Sequence, residues 1–221
     1  MRIITVSSFK GGTAKTSLSL NVGAVLAKKY KKKVLLIDFD AQANLTAGLG
    51  FDPDQHDSLA PVLQGKKPIE SVLLATHIKN LFLIPADTWL ERIEVTGPLA
   101  TDRYSHEKLK SVLQNLNYDY VIIDTPPSLC WLTESAFIAS DYCLVAATPE
   151  FYSIKGLQRL SLFVDTIGKR HAPDKVLTYK IRKDISVSEA SILGKPVIET
   201  APKSRASADF LELTKEILSK M

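Results

Sequence analysis

Cysteine is scarce in this sequence. Cys130 and Cys143 form no CxxC pair and have no histidine at ligand spacing, which excludes a disulfide framework and points to two reduced, buried thiols. The four histidines, His56, His77, His106 and His171, are scattered, so no histidine metal cluster is expected. No run approaches 18 apolar residues, which excludes a membrane-spanning helix. The apolar start at residues 1–6 is too short for a signal-peptide core and lacks a cleavage pattern, so the expected compartment is the cytoplasm. Repeats, low-complexity tracts and linkers are also missing, and residues 1–221 read as a single domain.

Of the 221 residues, 45% are hydrophobic and 24% charged. That is too apolar for a disordered chain, and long enough to fill one α/β core without a disulfide or metal staple. The net charge is +4, and its position along the chain is uneven. Residues 1–167 carry 17 Lys/Arg and 17 Asp/Glu, whereas residues 168–221 carry 11 and 7. The excess along the sequence thus lies wholly in the last quarter, which suits an anionic partner or a solvated face. A dense basic run at residues 28–33, KKYKKK, falls where a helix is expected to end, and cations suit that end of the helix dipole.

Short β-branched, apolar runs at residues 2–8, 33–38, 81–84, 118–125 and 142–147 read as buried strands. Helical spacing of apolar residues appears at 17–30, 105–116, 132–139, 154–167 and 204–218. Strands alternating with helices imply an α/β fold, a doubly wound, mostly parallel sheet with helices on both faces.

The segment joining the first strand to the first helix is Ser8-Phe9-Lys10-Gly11-Gly12-Thr13-Ala14-Lys15-Thr16-Ser17. A phosphate cradle needs this context: backbone N–H groups at a helix N-terminus, a lysine, and a hydroxyl for a metal ion. The ordinary GxxxxGK[ST] spacing fails, because Phe9 and Ala14 occupy its two glycine places. What remains is KGGxxK[ST], with the additional lysine at Lys10. A positive φ at Ala14 would cost about 1–2 kcal/mol, so a negative φ is expected there. Asp38 and Asp40 end the second strand, where ligands of open α/β sheets bind, and two acids there call for a nearby cation or solvent. Asp124 ends another apolar strand, in the position of a Walker B carboxylate that holds Mg²⁺ through water.

With KGGxxK[ST], the DFDAQAN stretch at 38–44 and DTPPS at 124–128, the chain resembles the ParA/MinD family of deviant Walker A P-loop ATPases, on its partition branch. Further matches run through TPEFYS at 148–153, IRKD at 181–184, GKPV at 194–197 and APKS at 201–204. The resemblance implies ATP and Mg²⁺ as cofactors. It implies a nucleotide site of Lys10, Gly11, Gly12, Thr13, Ala14, Lys15, Thr16, Ser17, Ile181 and Arg182. Thr16, Asp40 and Asp124 would serve the metal, and Asp40 would orient the attacking water. Lys10 would reach the γ-phosphate of a second, facing subunit, while Asp38 would support the loops. It further implies an ATP-dependent homodimer, slow hydrolysis stimulated by a ParB-like centromere-binding protein, and non-specific binding to double-stranded DNA. Lys180, Arg182, Lys183, Lys203 and Arg205 are the candidates for DNA contact, with Arg182 alternatively at the adenine. The location implied is cytoplasmic, and nucleoid-associated when ATP-bound.

Three other readings fit less well. A MinD-like membrane-cycling ATPase needs a basic amphipathic C-terminal anchor, but residues 209–221 mix acids with their lysines and look like a docked helix. An electron carrier of the nitrogenase-reductase type needs cluster-ligating cysteines, which Cys130 and Cys143 do not match. A non-hydrolysing scaffold is disfavoured by the presence of Lys10 and Asp40. The resemblance also breaks once. Between residues 162 and 176 the family has a further buried strand, and here no strand-like run exists. Loss of a central strand would expose its neighbours' edges, which favours residues omitted from the numbering over a true deletion.

Overall fold

The computed structural model describes all residues except 9–10, 94–103, 129, 147–161, 163–175 and 178–180. Seven strands form one sheet in the order β3-β4-β2-β5-β1-β6-β7: β1 Arg2–Ser7, β2 Val34–Asp38, β3 Leu74–Ala75, β4 Leu81–Ile84, β5 Tyr120–Asp124, β6 Tyr142–Val145 and β7 Val176–Leu177. All pairings are parallel except β3 with β4. Strands β2 and β5 are buried at every position, as a sheet covered on both faces requires.

Alternation along the strands divides the core in two. Ile4, Val6, Val34, Leu36 and Ile122 face α1 (Lys15–Lys28), α8 (Val197–Thr200) and α9 (Arg205–Lys220). Ile3, Leu35, Ile37, Val121 and Ile123 face α5 (Lys108–Leu113) and α6 (Trp131–Ala139). The remaining described helices are short: α2 Asn44–Gly48, α3 Ala60–Leu63, α4 Trp89–Arg92 and α7 Ile185–Ile192. Helix α1 lies so close to the sheet that a Cβ on Gly23 would stand 2.7 Å from Cδ2 of Leu36. Helix α9 begins at an N-cap, where Ser204 Oγ accepts from Ser207 N at 3.1 Å. It buries Ala206, Phe210, Leu213 and Ile217 as one stripe in the cluster that contains α1. The C-terminal segment is therefore a docked core helix, as its mixed charge suggests. Among the described residues no helix is long and apolar enough to cross a membrane.

The expected strands appear within one or two residues of their sequence-based limits. The helix expected at 154–167 lies outside the described residues. The 162–176 segment, where a further family strand was expected, lies almost wholly outside the described residues. Beside it, β7 pairs with β6 through Cys143↔Val176 and Leu144↔Leu177 and extends the sheet by one short strand.

The parallel strands give the sheet two unlike edges. Their carboxyl ends meet the N-terminus of α1 and the loops after β2 and β5; their amino ends meet the C-terminus of α1.

Candidate nucleotide site at the carboxyl edge

β1 occupies the middle of the sheet, between β5 and β6, and leads through the glycine loop into α1. Chain connections diverge to either side of it, which opens the crevice where α/β sheets bind ligands. Gly12 has φ 75°, a conformation that favours glycine. A Cβ at Gly11 or Gly12 would meet nothing within 4 Å, so the space above the loop is open. Helix α1 has no side-chain N-cap and no acid in its first turn. Its free N–H groups and positive dipole end are left for an external anion.

Ala14 does not have the negative φ expected from its sequence. It adopts the left-handed conformation, φ 62° and ψ 27°, as the residue before the helix. The loop thus keeps the backbone course that glycine would take at lower cost, and about 1–2 kcal/mol of strain is retained. Propensity argued for the cheaper angle, but the strand-to-helix turn prevails.

Lys15 is 8% exposed. Burial lowers its pKa, and the nearby charges of Asp124 and Asp40 oppose that shift. Asp124 is held on both oxygens from α1: Thr16 Oγ1 donates to Oδ2 at 2.7 Å and Ser19 Oγ to Oδ1 at 2.8 Å. Burial nevertheless pushes its pKa up to about 6, against the stabilising bonds of Thr16 and Ser19 and the charge of Lys15. Ser19 was not among the expected site residues. Its place one turn after Thr16, on the same helix face, was the available signal.

Asp38 and Asp124 are register partners across β2 and β5. Asp38 is fully buried, and desolvation with the neighbouring Asp124 charge pushes its pKa up to about 7. Its Oδ2 accepts from Thr46 N at 2.8 Å and Thr46 Oγ1 at 2.7 Å, and Thr46 Oγ1 accepts in turn from Ala86 N at 3.1 Å. Asp38 thereby pins the loop carrying Asp40 to the exit of β4. Asp40 is half-buried, and its Oδ1 accepts from Gln42 N at 3.0 Å.

The other expected site residues divide. Thr13 and Ser17 are half-buried beside Lys15 and Thr16, and Ile181 packs partly into the core. Lys10 and Lys180 lie outside the described residues. Lys183, Lys203 and Arg205 are exposed near the start of α9. Arg182 is committed elsewhere: its Nη2 donates to Asp209 Oδ1 at 2.6 Å and its backbone N to Asp209 Oδ2 at 2.9 Å. That pair ties residue 182 to α9 and draws the Asp209 pKa below the usual carboxylate range, chiefly through the Arg182 bond.

A buried lysine at an uncapped helix start, a hydroxyl and a carboxylate suit a metal–polyphosphate. Among the described residues no group of three or more His, Cys, Asp or Glu converges, and Mg²⁺ characteristically uses one or two carboxylates with substrate phosphates rather than a protein cage. The fold and this edge together define a P-loop NTPase.

Residues 1–177 match a family described as an AAA domain. The chain is 56% identical to a ParA family protein of Chlamydia muridarum, covering 99% of this chain and 98% of that protein. It is 33% identical to the sporulation initiation inhibitor protein Soj of Bacillus subtilis, covering 98% of each. A solved structure of the septum site-determining protein MinD from Pyrococcus horikoshii, complexed with Mg-ADP, superposes with TM-score 0.81 at 25% identity, over 98% of this chain and 95% of that one. The chain belongs to the ParA family of P-loop ATPases, on the branch of the partition proteins. The alignment with the C. muridarum protein spans 249 positions against 221 residues here, so this chain is the shorter of the two.

Proposed function

We propose that this protein is a partition ATPase that binds ATP with Mg²⁺ at the carboxyl edge, pairs there with a second copy, and hydrolyses ATP slowly. The observation carrying this reading is the grip of α1 on Asp124, with Lys15 buried beside it. Lys15 neutralises the β- and γ-phosphates, and the free N–H groups at the start of α1 hold their oxygens. The Thr16 hydroxyl and the Asp124 carboxylate would hold Mg²⁺, which supplies charge neutralisation on the transferred phosphoryl group. Asp40, on the loop fixed by Asp38 and Thr46, orients the attacking water. Lys10 reaches the nucleotide of the facing subunit.

The ATP-bound pair holds double-stranded DNA non-specifically through Lys183, Lys203 and Arg205, and a ParB-like protein accelerates hydrolysis. Such a protein is cytoplasmic and joins the nucleoid when ATP-bound. The docked α9 supports this reading over membrane cycling, because its apolar stripe is already used in the core.

Asp40→Ala separates binding from turnover. Fluorescent ATP should bind with parental affinity, because the cradle is untouched, while phosphate release falls by about 10²-fold or more, since the water loses its orientation. Size-exclusion chromatography with ATP should show the variant accumulating as a dimer. Hydrolysis at the parental rate would remove Asp40 from this role.

A further inference from the structure

Counted along the sequence, the positive excess lies after residue 167. In space, a second concentration of cations lies at the amino edge of the sheet. The starts of β1, β2 and β4 and the end of α1 bring Arg2, Lys29, Lys31, Lys32, Lys33 and Lys79 to one edge. Backbone bonds fix them there: Arg2 N donates to Asp119 O at 2.9 Å, Val34 N to Asn80 O at 2.8 Å, and Lys32 N to Leu26 O at 3.1 Å. The carboxylates at these strand starts are few and partly used. Asp119 Oδ2 accepts from Lys33 N at 2.7 Å, and Asp141 Oδ2 from Ile3 N at 2.8 Å. Nearby, Lys28 is matched by Glu199. At the other proposed cationic surface, Asp184 and Asp209 lie among Arg182, Lys183, Lys203 and Arg205 and offset about half of their charge.

The helix dipole accounts for cations in the last turn of α1, but its influence falls off within that turn. It does not account for Lys31, Lys32, Lys33 or Lys79. Lys31 sits at φ 56°, where glycine or asparagine would cost less. Lys33 is held over the Tyr118 ring at 4.6 Å. Lys29, Lys31, Lys32 and Lys79 have no ion-pair partner among the described residues, so their charges are available.

We propose that the amino edge is a second surface for double-stranded DNA, binding phosphates without need of nucleotide. Of the exposed bulky apolar side chains that a lipid-inserting surface requires, Met1 lies beside Arg2 at this edge, whereas Trp89, Tyr104, Ile185, Ile192 and Leu193 belong to other segments. The aromatic rings among the cations are engaged by the protein rather than stacked as a platform for single strands: Tyr30 packs partly against the core, and Phe82 and Tyr118 lie under Lys33. The surface faces away from the carboxyl edge where the second copy would sit, so each copy of a pair keeps it free. The monomer therefore binds DNA weakly, and the ATP-bound pair can hold two duplex segments at once.

The test is fluorescence anisotropy with a mixed-sequence duplex, with and without ATP, on the full chain and on Lys29→Glu/Lys31→Glu/Lys32→Glu. Nucleotide-free binding should weaken about tenfold or more in the triple variant. Its log–log salt slope should become shallower by roughly 2–3, at about 0.9 per phosphate neutralised. ATP binding and ATP-driven dimerisation should persist, because the nucleotide site is at the opposite edge; their persistence also shows a folded protein. The milder Lys29→Gln/Lys31→Gln/Lys32→Gln variant should fall between the two. Unchanged nucleotide-free affinity and salt slope would overturn the proposal. So would loss of flotation with phosphatidylglycerol vesicles while duplex binding stays intact. Failure of the partition reading looks different: Lys183→Glu/Lys203→Glu would then leave ATP-dependent DNA binding untouched.

Discussion

The two edges of the sheet handle charge in opposite ways. At the carboxyl edge, Lys15, Asp38 and Asp124 are buried together, and hydroxyls of Thr16, Ser19 and Thr46 satisfy the carboxylates. At the amino edge cations outnumber the acids Asp119 and Asp141, and most of these charges are exposed to solvent. Buried groups of opposite sign interact strongly, since little water screens them, and each loses much if its partner is removed. Exposed like charges cost little and are modulated by salt. One edge is therefore built to fix a small ligand at defined atoms, and the other to meet an extended polyanion with tolerance.

The sharpest way to break this contrast is at Lys15. Lys15→Ala removes the counter-charge of the cradle and should weaken ATP binding by about 10²-fold or more, on a scale of roughly 2–5 kcal/mol for truncating one partner of a buried charge pair. Calorimetric titration measures it, and parental affinity would contradict the assignment of the loop.

A second test uses pH. Asp38 at about 7 and Asp124 at about 6 both exceed the ~3.9 of an unfolded aspartate. In the nucleotide-free protein the folded state keeps protons that the unfolded chain has released. The stability these carboxyls contribute is thus full below about pH 4 and is lost as pH rises through 6 to 7. Asp38→Asn removes the larger of the two contributions. Its urea midpoint should gain on the parent between about pH 5 and about pH 8; a constant difference across that window would refute the raised pKa.

Ala14→Gly should have a smaller effect, a stabilisation of about 1 kcal/mol by release of the left-handed strain. For a chain of this size that is about 2–4 °C in Tm by calorimetry. Smallest of all, Lys31→Gln at the amino edge should change stability by less than about 0.5 kcal/mol. A loss comparable to that of a buried group would show that the edge is not simply solvated.

Much of the carboxyl edge was legible because its chemistry is local. The loop from Gly11 to Thr16 lies within one strand-to-helix turn, and Asp38 and Asp124 announce themselves as acids closing apolar runs. What escaped depended on three dimensions. The angle at Ala14 follows from how β1 meets α1, not from alanine's preference. Asp209 lies 27 residues from Arg182, and nothing in either segment alone shows that they pair. The amino-edge cations come from three strand starts and a helix end, so a tally along the chain does not show them as one group. The place of β7 beside β6 was hidden because the strand is two residues long, too short to show a periodicity.

The central position of β1 sets an order of events at the ribosome. Ile4 is flanked by Ile122 on one side and by Tyr142 on the other, so β1 is synthesised well before either strand that encloses it. At synthesis rates of about 5–20 residues per second, the gap between making β1 and making its first neighbour is roughly 6–25 s. During that interval the phosphate loop has no sheet behind it, and a nascent chain halted before about residue 120 should hold no nucleotide, whereas one released past about residue 145 has every strand that touches β1.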